Sequence, residues 1–112
     1  MSALPALVLF HHPQSRSAGV RMLLEELALP YQVELVDFKN KSADLLAANP
    51  LGKVPTLLAD GIAVTEQLAI FQFLAELAPA AGLSPEVGDP LRGPYLRWLA
   101  IYGSSFEPAM ID

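Results

Sequence analysis

The spacing of apolar and polar positions changes several times along the chain, and each change marks an element. Residues 6–10, Ala-Leu-Val-Leu-Phe, form a short unbroken apolar run bounded by His11-His12-Pro13, the pattern of a buried strand. A loop, Pro13-Gln14-Ser15, follows. Val20, Leu23, Leu24 and Leu27 then recur at helical spacing, with Arg21, Glu25 and Glu26 on the other face, until Pro30 stops the run. Residues 31–38 alternate imperfectly and predict a second strand. Residues 43–48 predict a short helix ended by Asn49-Pro50. Residues 56–59 and 62–64 flank Asp60-Gly61, a pair that tolerates positive φ and suits a two-residue hairpin. Thr65 is placed to cap the next helix, in which Ile70, Phe73, Leu74 and Leu77 share one face before Pro79.

The predicted order is therefore β-α-β-α-β-β-α, an α/β arrangement with helices on both faces of a mixed sheet, and a right-handed crossover makes the first two strands parallel. Residues 80–89 are rich in Pro, Gly and Ala and predict a linker, closed by Asp89-Pro90 as a cap and first-turn proline. In the last segment Tyr95, Trp98, Leu99, Tyr102 and Phe106 line one helical face, with no second helix to pack on. The expected division is residues 1–79, a linker 80–89, and a helical segment 90–112.

Composition narrows the chemistry. The chain has 112 residues, 53% of them hydrophobic, and 12 acidic against 7 basic side chains give a net charge of −5. That balance disfavours phosphate-backbone binding, so no nucleic acid is expected. The absence of cysteine removes disulfides, Cys-ligated zinc and any protein thiolate. No apolar run approaches the roughly 18 residues of a membrane span, and the N-terminus lacks a signal-peptide pattern, which predicts a soluble, cytoplasmic chain without membrane association. A mean hydropathy of +0.38 is high for so small a chain and predicts apolar surface turned toward a partner or a further segment.

Two local features carry candidate chemistry. Val54-Pro55 opens a strand, where proline cannot join the ladder and its predecessor is pushed to an extended conformation. A cis bond there turns the Val54 N–H and C=O outward, where an extended peptide can pair with them. Thr65-Glu66-Gln67 opens a helix, whose unpaired N–H groups and dipole favour a carboxylate. Together they suit a small acidic peptide. His11 and His12 are adjacent on a strand and point to opposite faces, so no metal site is expected and one of them is a structural histidine.

With these residues on the page, the chain resembles the glutathione transferase family, in its N-terminal thioredoxin-like domain followed by the start of its helical domain, and looks like a serine-type, bacterial member. The resemblance is carried by Pro13-Gln14-Ser15-Arg16-Ser17, Leu24 to Tyr31, Asn49 to Leu57, and Asp60-Gly61 leading to Thr65-Glu66-Gln67-Leu68-Ala69-Ile70. Family members are about twice as long, so the chain looks like a truncated subunit or an excerpt.

The resemblance implies glutathione as co-substrate. Val54 beside cis Pro55 would pair its cysteinyl unit, Glu66 and Gln67 would receive its γ-glutamyl end, and Lys53, with Lys41 left open, would lie near its glycyl carboxylate. Gln67 departs from the family's usual serine. The implied catalytic hydroxyl is Ser15, stabilising the glutathione thiolate for attack on a small hydrophobic electrophile. Ser17 is the runner-up and is expected to cap the first helix, and Arg16 adds positive potential. A homodimer and a role in detoxification are further implications. The alternative is a non-catalytic glutathione-binding or interaction module whose helical half is missing. A glutaredoxin-like oxidoreductase shares the fold but requires a cysteine that is absent.

Overall fold

A computed structural model describes residues 4–111; residues 1–3 and 112, the outer ends of the two expected domains, lie outside the described residues. Strand β1 (Leu7–His11) leads to helix α1 (Ser17–Glu26), strand β2 (Gln32–Leu35), helix α2 (Ala43–Ala48), strands β3 (Thr56–Ala59) and β4 (Ile62–Thr65), and helix α3 (Gln67–Leu77). This is the expected thioredoxin-like order. The sheet runs β2-β1-β3-β4, with β1 and β2 parallel and the other pairs antiparallel.

Side-chain alternation divides the core. Leu7 and Leu9 of β1 and Leu57 and Ala59 of β3 meet Val20 and Leu24 of α1 and Ile70 and Leu74 of α3 in one buried cluster. Phe10 of β1, of the opposite strand parity, and Leu45 of α2 are also fully buried, outside that cluster. Gly19 lies where α1 meets α3, and a Cβ there would reach Phe71 and Gln67 at 3.5 Å, an ordinary van der Waals distance. The hairpin turns as predicted, with Asp60 at φ 49° and Gly61 at φ 80°. Asp60 also ties the sheet edge, its Oδ1 accepting from the Ala6 N–H at 2.7 Å.

Two expectations are corrected. Strand β2 is only Gln32–Leu35, shorter than residues 31–38, because it is an edge strand with Leu35 73% exposed, so burial gives it little reason to extend. The cap of α3 is Glu66, not Thr65; Thr65 is the last residue of β4, and Glu66 turns the chain at φ 73° with no side-chain cap bond. By contrast Ser42 caps α2, accepting from the Leu45 N–H at 3.1 Å.

After a single 3-10 turn at Pro79–Ala81, Asp89 accepts from the Leu91 N–H at 2.8 Å, but helix α4 (Arg92–Ile101) starts later than expected: its N-cap is Leu91, with no side-chain cap bond, and Asp89-Pro90 form the turn before it. A π-helical turn (Tyr102–Phe106) then leads into the short helix α5 (Glu107–Ile111). Arg92 joins α4 to the end of α3 through Glu76 at 2.9 Å and to the connecting segment through the Pro85 carbonyl at 2.7 Å. That guanidinium holds the Glu76 carboxyl below its usual range. The predicted aromatic stripe is not a buried face: Trp98 and Phe106 stay 60% and 56% exposed. The π-turn changes the helical phase between them.

The core makes a direct prediction. Leu24→Ala, at a fully buried position shared by both helices and the sheet, should lower the unfolding free energy by about 2–5 kcal/mol in urea titration, whereas Met22→Ala, 72% exposed on the same helix, should change it by less than about 0.5 kcal/mol.

Candidate functional site

The turn between β1 and α1 is built on two hydroxyls. Ser17 is fully buried at the first residue of α1. Its Oγ accepts from the His12 N–H at 3.0 Å, lies 2.8 Å from His11 Nδ1 and 2.5 Å from Ser15 Oγ, and reaches the His12 carbonyl at 3.1 Å. Ser15 is half-buried; it donates to the His12 carbonyl at 2.7 Å and accepts from the Ser17 N–H at 3.2 Å. The expected division of labour is therefore changed. Ser15 makes the local bond to the helix start, while Ser17, expected as the cap, fastens the end of β1. The physical reason is burial: a hydroxyl in the interior needs partners on every side, and the strand end supplies them.

The histidines separate as predicted from strand alternation. His11 is buried, facing α1, and burial together with the nearby Arg21 charge and His12 depresses its pKa below 6.5, so it is neutral at pH 7. The His12 ring stacks on Phe38 with centroids 4.8 Å apart, and its Nδ1 accepts from the Gln14 N–H at 3.1 Å. Among the described residues no group of three or more His, Cys, Asp or Glu side chains is arranged to hold a metal.

Across the cleft, the segment before β3 is fixed by buried Asn49 and Thr56. Asn49 Nδ2 donates to Thr56 Oγ1 at 3.2 Å and to the Lys53 carbonyl at 3.4 Å, and Thr56 Oγ1 donates to that same carbonyl at 2.7 Å. The Val54–Pro55 bond is cis. Val54 lies beyond the β1–β3 ladder, whose last pair is Phe10 with Thr56. Gly52, at φ 62°, adopts a conformation that favours glycine, and the flexible end of the Lys41 side chain lies over it.

Lys53, Val54, Pro55, Glu66 and Gln67 line one cleft of about 560 Å³ together with Arg16 and Glu107. Ser15 lines an adjoining hollow with Lys41, and that hollow shares Arg16, Lys53 and Val54 with the cleft. The expected site residues thus line two adjoining hollows that share Arg16, Lys53 and Val54. Glu66 holds its positive φ at the cleft wall, a conformation that costs a non-glycine residue about 1–3 kcal/mol and concentrates at functional sites.

Sequence reasoning missed two participants. Glu107 pairs with Arg16 at 2.6 Å and accepts from the Tyr102 hydroxyl at 3.0 Å. Burial and that carboxylate raise the Tyr102 pKa, so the phenol keeps its proton. The Gln67 amide also faces Glu107; hydrogen-bond chemistry turns its nitrogen toward the carboxylate, donating at 2.9 and 3.2 Å. No local signal marks Glu107, because Arg16 is 91 positions away. The other is Asn49, legible only as part of a helix-stopping Asn-Pro pair.

Comparison with known proteins gives a consistent picture. The family model described as "Glutathione S-transferase, N-terminal domain" matches residues 15–77. A glutathione S-transferase of Xanthomonas campestris is 33% identical over 101 residues, covering 89% of this chain and 50% of that protein. The crystal structure of a glutathione transferase from Methylococcus capsulatus superposes with a TM-score of 0.82 at 36% identity, over 88% of this chain and 51% of that one. A sphingomonad glutathione S-transferase complexed with glutathione gives a TM-score of 0.83 at 35% identity, over 93% and 54%. The chain spans about half the length of these relatives.

The buried neutral His11 makes stability depend on pH. Because its folded pKa lies below the unfolded value near 6.5, its contribution is complete above that pH and declines as pH falls through the folded value. The urea midpoint should therefore drop between pH 7.5 and 5.5, and His11→Asn should show a smaller drop over the same interval.

Proposed function

The chain belongs to the glutathione S-transferase family, and from that premise we propose that it binds glutathione in the Lys53–Gln67 cleft and activates its thiol with Ser15. The observation that supports this is the pair of adjoining hollows: Val54, at the strand start, borders both, the helix start at Glu66-Gln67 lines one and the Ser15 hydroxyl lines the other, with Arg16 and Lys53 at the rim of each. In this reading the Val54 main chain pairs with the cysteinyl unit beside Pro55. The N-terminus of α3, with Glu66 and Gln67, receives the γ-glutamyl end. Lys53 meets the glycyl carboxylate, and Lys41, on the same wall as Lys53, adds a second positive charge there.

The catalytic step follows from charge stabilisation. A free thiol has a pKa of about 8.5. The Ser15 hydroxyl, turned from the His12 carbonyl to the sulfur, donates a hydrogen bond that is stronger to the thiolate than to the thiol, and the start of α1 adds its dipole in the same sense. The thiolate electron pair then forms the carbon–sulfur bond to a hydrophobic electrophile, and the leaving group departs with its own pair or the electrons move into a conjugated acceptor. The same proposal divides the chain into a glutathione-binding unit 1–79, a linker 80–89 and the start of a helical domain at 90–112. It also has the chain acting as a homodimer in cytoplasmic detoxification; exposed Trp98 and Phe106 are consistent with surface awaiting cover. No helix among the described residues is long and apolar enough to cross a membrane.

A binding module without turnover is the second reading, favoured by the inward bond that Ser15 makes to the His12 carbonyl at 2.7 Å. Calorimetry with glutathione and conjugation of a chloronitroaromatic substrate distinguish the two. The expected outcome is binding by both the parent and Ser15→Ala within a few-fold, with turnover of the variant reduced about 10- to 100-fold, the worth of one hydrogen bond to a charged group. Binding with no turnover in the parent supports the module. No binding at millimolar glutathione removes both readings.

A further inference from the structure

Proton accounting around Ser17 leads beyond Ser15 itself. Four groups converge there: His11 Nδ1 at 2.8 Å, the His12 N–H at 3.0 Å, Ser15 Oγ at 2.5 Å and the His12 carbonyl at 3.1 Å. The two hydroxyls own one proton each, and the 2.5 Å separation between them requires that one of those protons lie between the oxygens. Which hydroxyl supplies it depends on His11.

Where His11 Nδ1 is bare, it is a buried acceptor and draws the Ser17 O–H. The proton between the two oxygens must then be that of Ser15, which points inward and is unavailable to a ligand. Where His11 carries its proton on Nδ1, it donates to Ser17 Oγ, the Ser17 O–H is directed to Ser15, and Ser15 only accepts from that side. Its own proton is then free to leave the His12 carbonyl, 2.7 Å away, for a group in the cleft.

Resting on the proposed role of Ser15, we propose that His11 is a positioning residue that, as the Nδ1–H tautomer, acts through Ser17 to aim the Ser15 hydroxyl proton at the glutathione sulfur. His11 lies behind the turn and does not line the Ser15 hollow or the adjoining cleft, so it acts only through Ser17. Its own surroundings keep it neutral and so able to select a tautomer. Arg21 from α1 and the neighbouring His12 oppose a second proton, and Glu25 of α1 lies with His11 and Arg21 around a separate hollow beside α1.

The test reads the bound thiol rather than product. On the 112-residue chain at pH 7.5 with saturating glutathione, nitrogen-15 NMR of the imidazoles should find His11 Nδ1 protonated; a bare Nδ1 overturns the proposal. Thiolate absorbance of the bound glutathione then gives its pKa in variants. His11→Leu, which removes the donor, should raise that pKa by about one unit, a roughly tenfold loss of thiolate at pH 7, with glutathione affinity within about threefold. His11→Asn, which restores an N–H near the Nδ1 position, should recover most of the shift. A folded His11→Leu protein with the parental thiol pKa overturns the proposal, and if that variant does not fold, the tautomer measured in the parent decides. Bound glutathione whose thiolate depends on Ser15 but not on His11 removes only this inference. Failure of the parent to bind glutathione removes the proposed function with it.

Discussion

The buried hydroxyl of Ser17 is the tie on which the cleft is hung. It sits where β1 ends and α1 begins, and it satisfies a main-chain N–H that the strand leaves unpaired as it turns. An unpaired buried N–H costs about 1–3 kcal/mol, so the turn is held in one geometry and not merely permitted there. Everything else on that wall takes its position from this bond. Ser15 is placed two residues before Ser17, Arg16 is pushed outward between them, and the start of α1 is aimed into the depression. The fully buried Val20 and Leu24 lock the helix behind it onto the sheet.

The facing wall solves the same problem with different side chains. There the chain must pass from α2 to β3 without ladder partners, and Asn49 and Thr56 converge on the Lys53 carbonyl to replace them. The consequence is that Val54, between two anchored points, presents its main chain at a fixed height beside the cleft. Rigidity on both walls is what a site for a small, flexible peptide requires, because the ligand then loses freedom without the protein losing more of its own.

Legibility in the sequence follows how local each determinant is. Strands β1, β3 and β4, the two amphipathic helices and the Asp60-Gly61 turn are written in spacing and in φ preference, and they appear where the pattern puts them. Strand β2 is shorter because periodicity cannot tell an edge strand's exposed end from its paired middle, and Leu35 lies at that end. Val54, Pro55, Glu66 and Gln67 were readable as two short motifs. Glu107 was not, since its meaning comes from Arg16 and Gln67, which only the fold brings to it. That the helix-start bond falls to Ser15 while Ser17 is buried against the strand end was hidden for a related reason: both are plausible caps in sequence, and only burial separates them.

Glu107 also bears on how an acidic chain presents a cationic site. The chain's net charge is −5, yet the cleft and its adjoining hollow are bordered by Arg16, Lys41 and Lys53 against Glu66 and Glu107 alone, an excess of one positive charge. Three of the seven basic residues are gathered there. Arg16 is held by Glu107 at 2.6 Å and is half exposed, so its charge is partly spent within the protein. Among the described residues, the positive charge with no carboxylate partner is that of Lys41 and Lys53, which line the hollow that Ser15 also borders. In the proposed reading this arrangement draws the anionic end of glutathione to Lys53 and Lys41 and leaves a carboxylate near Gln67 for its ammonium group. In the proposed reading thiolate stabilisation rests on the Ser15 hydroxyl and the start of α1, so the direction of a single serine proton carries much of the chemistry.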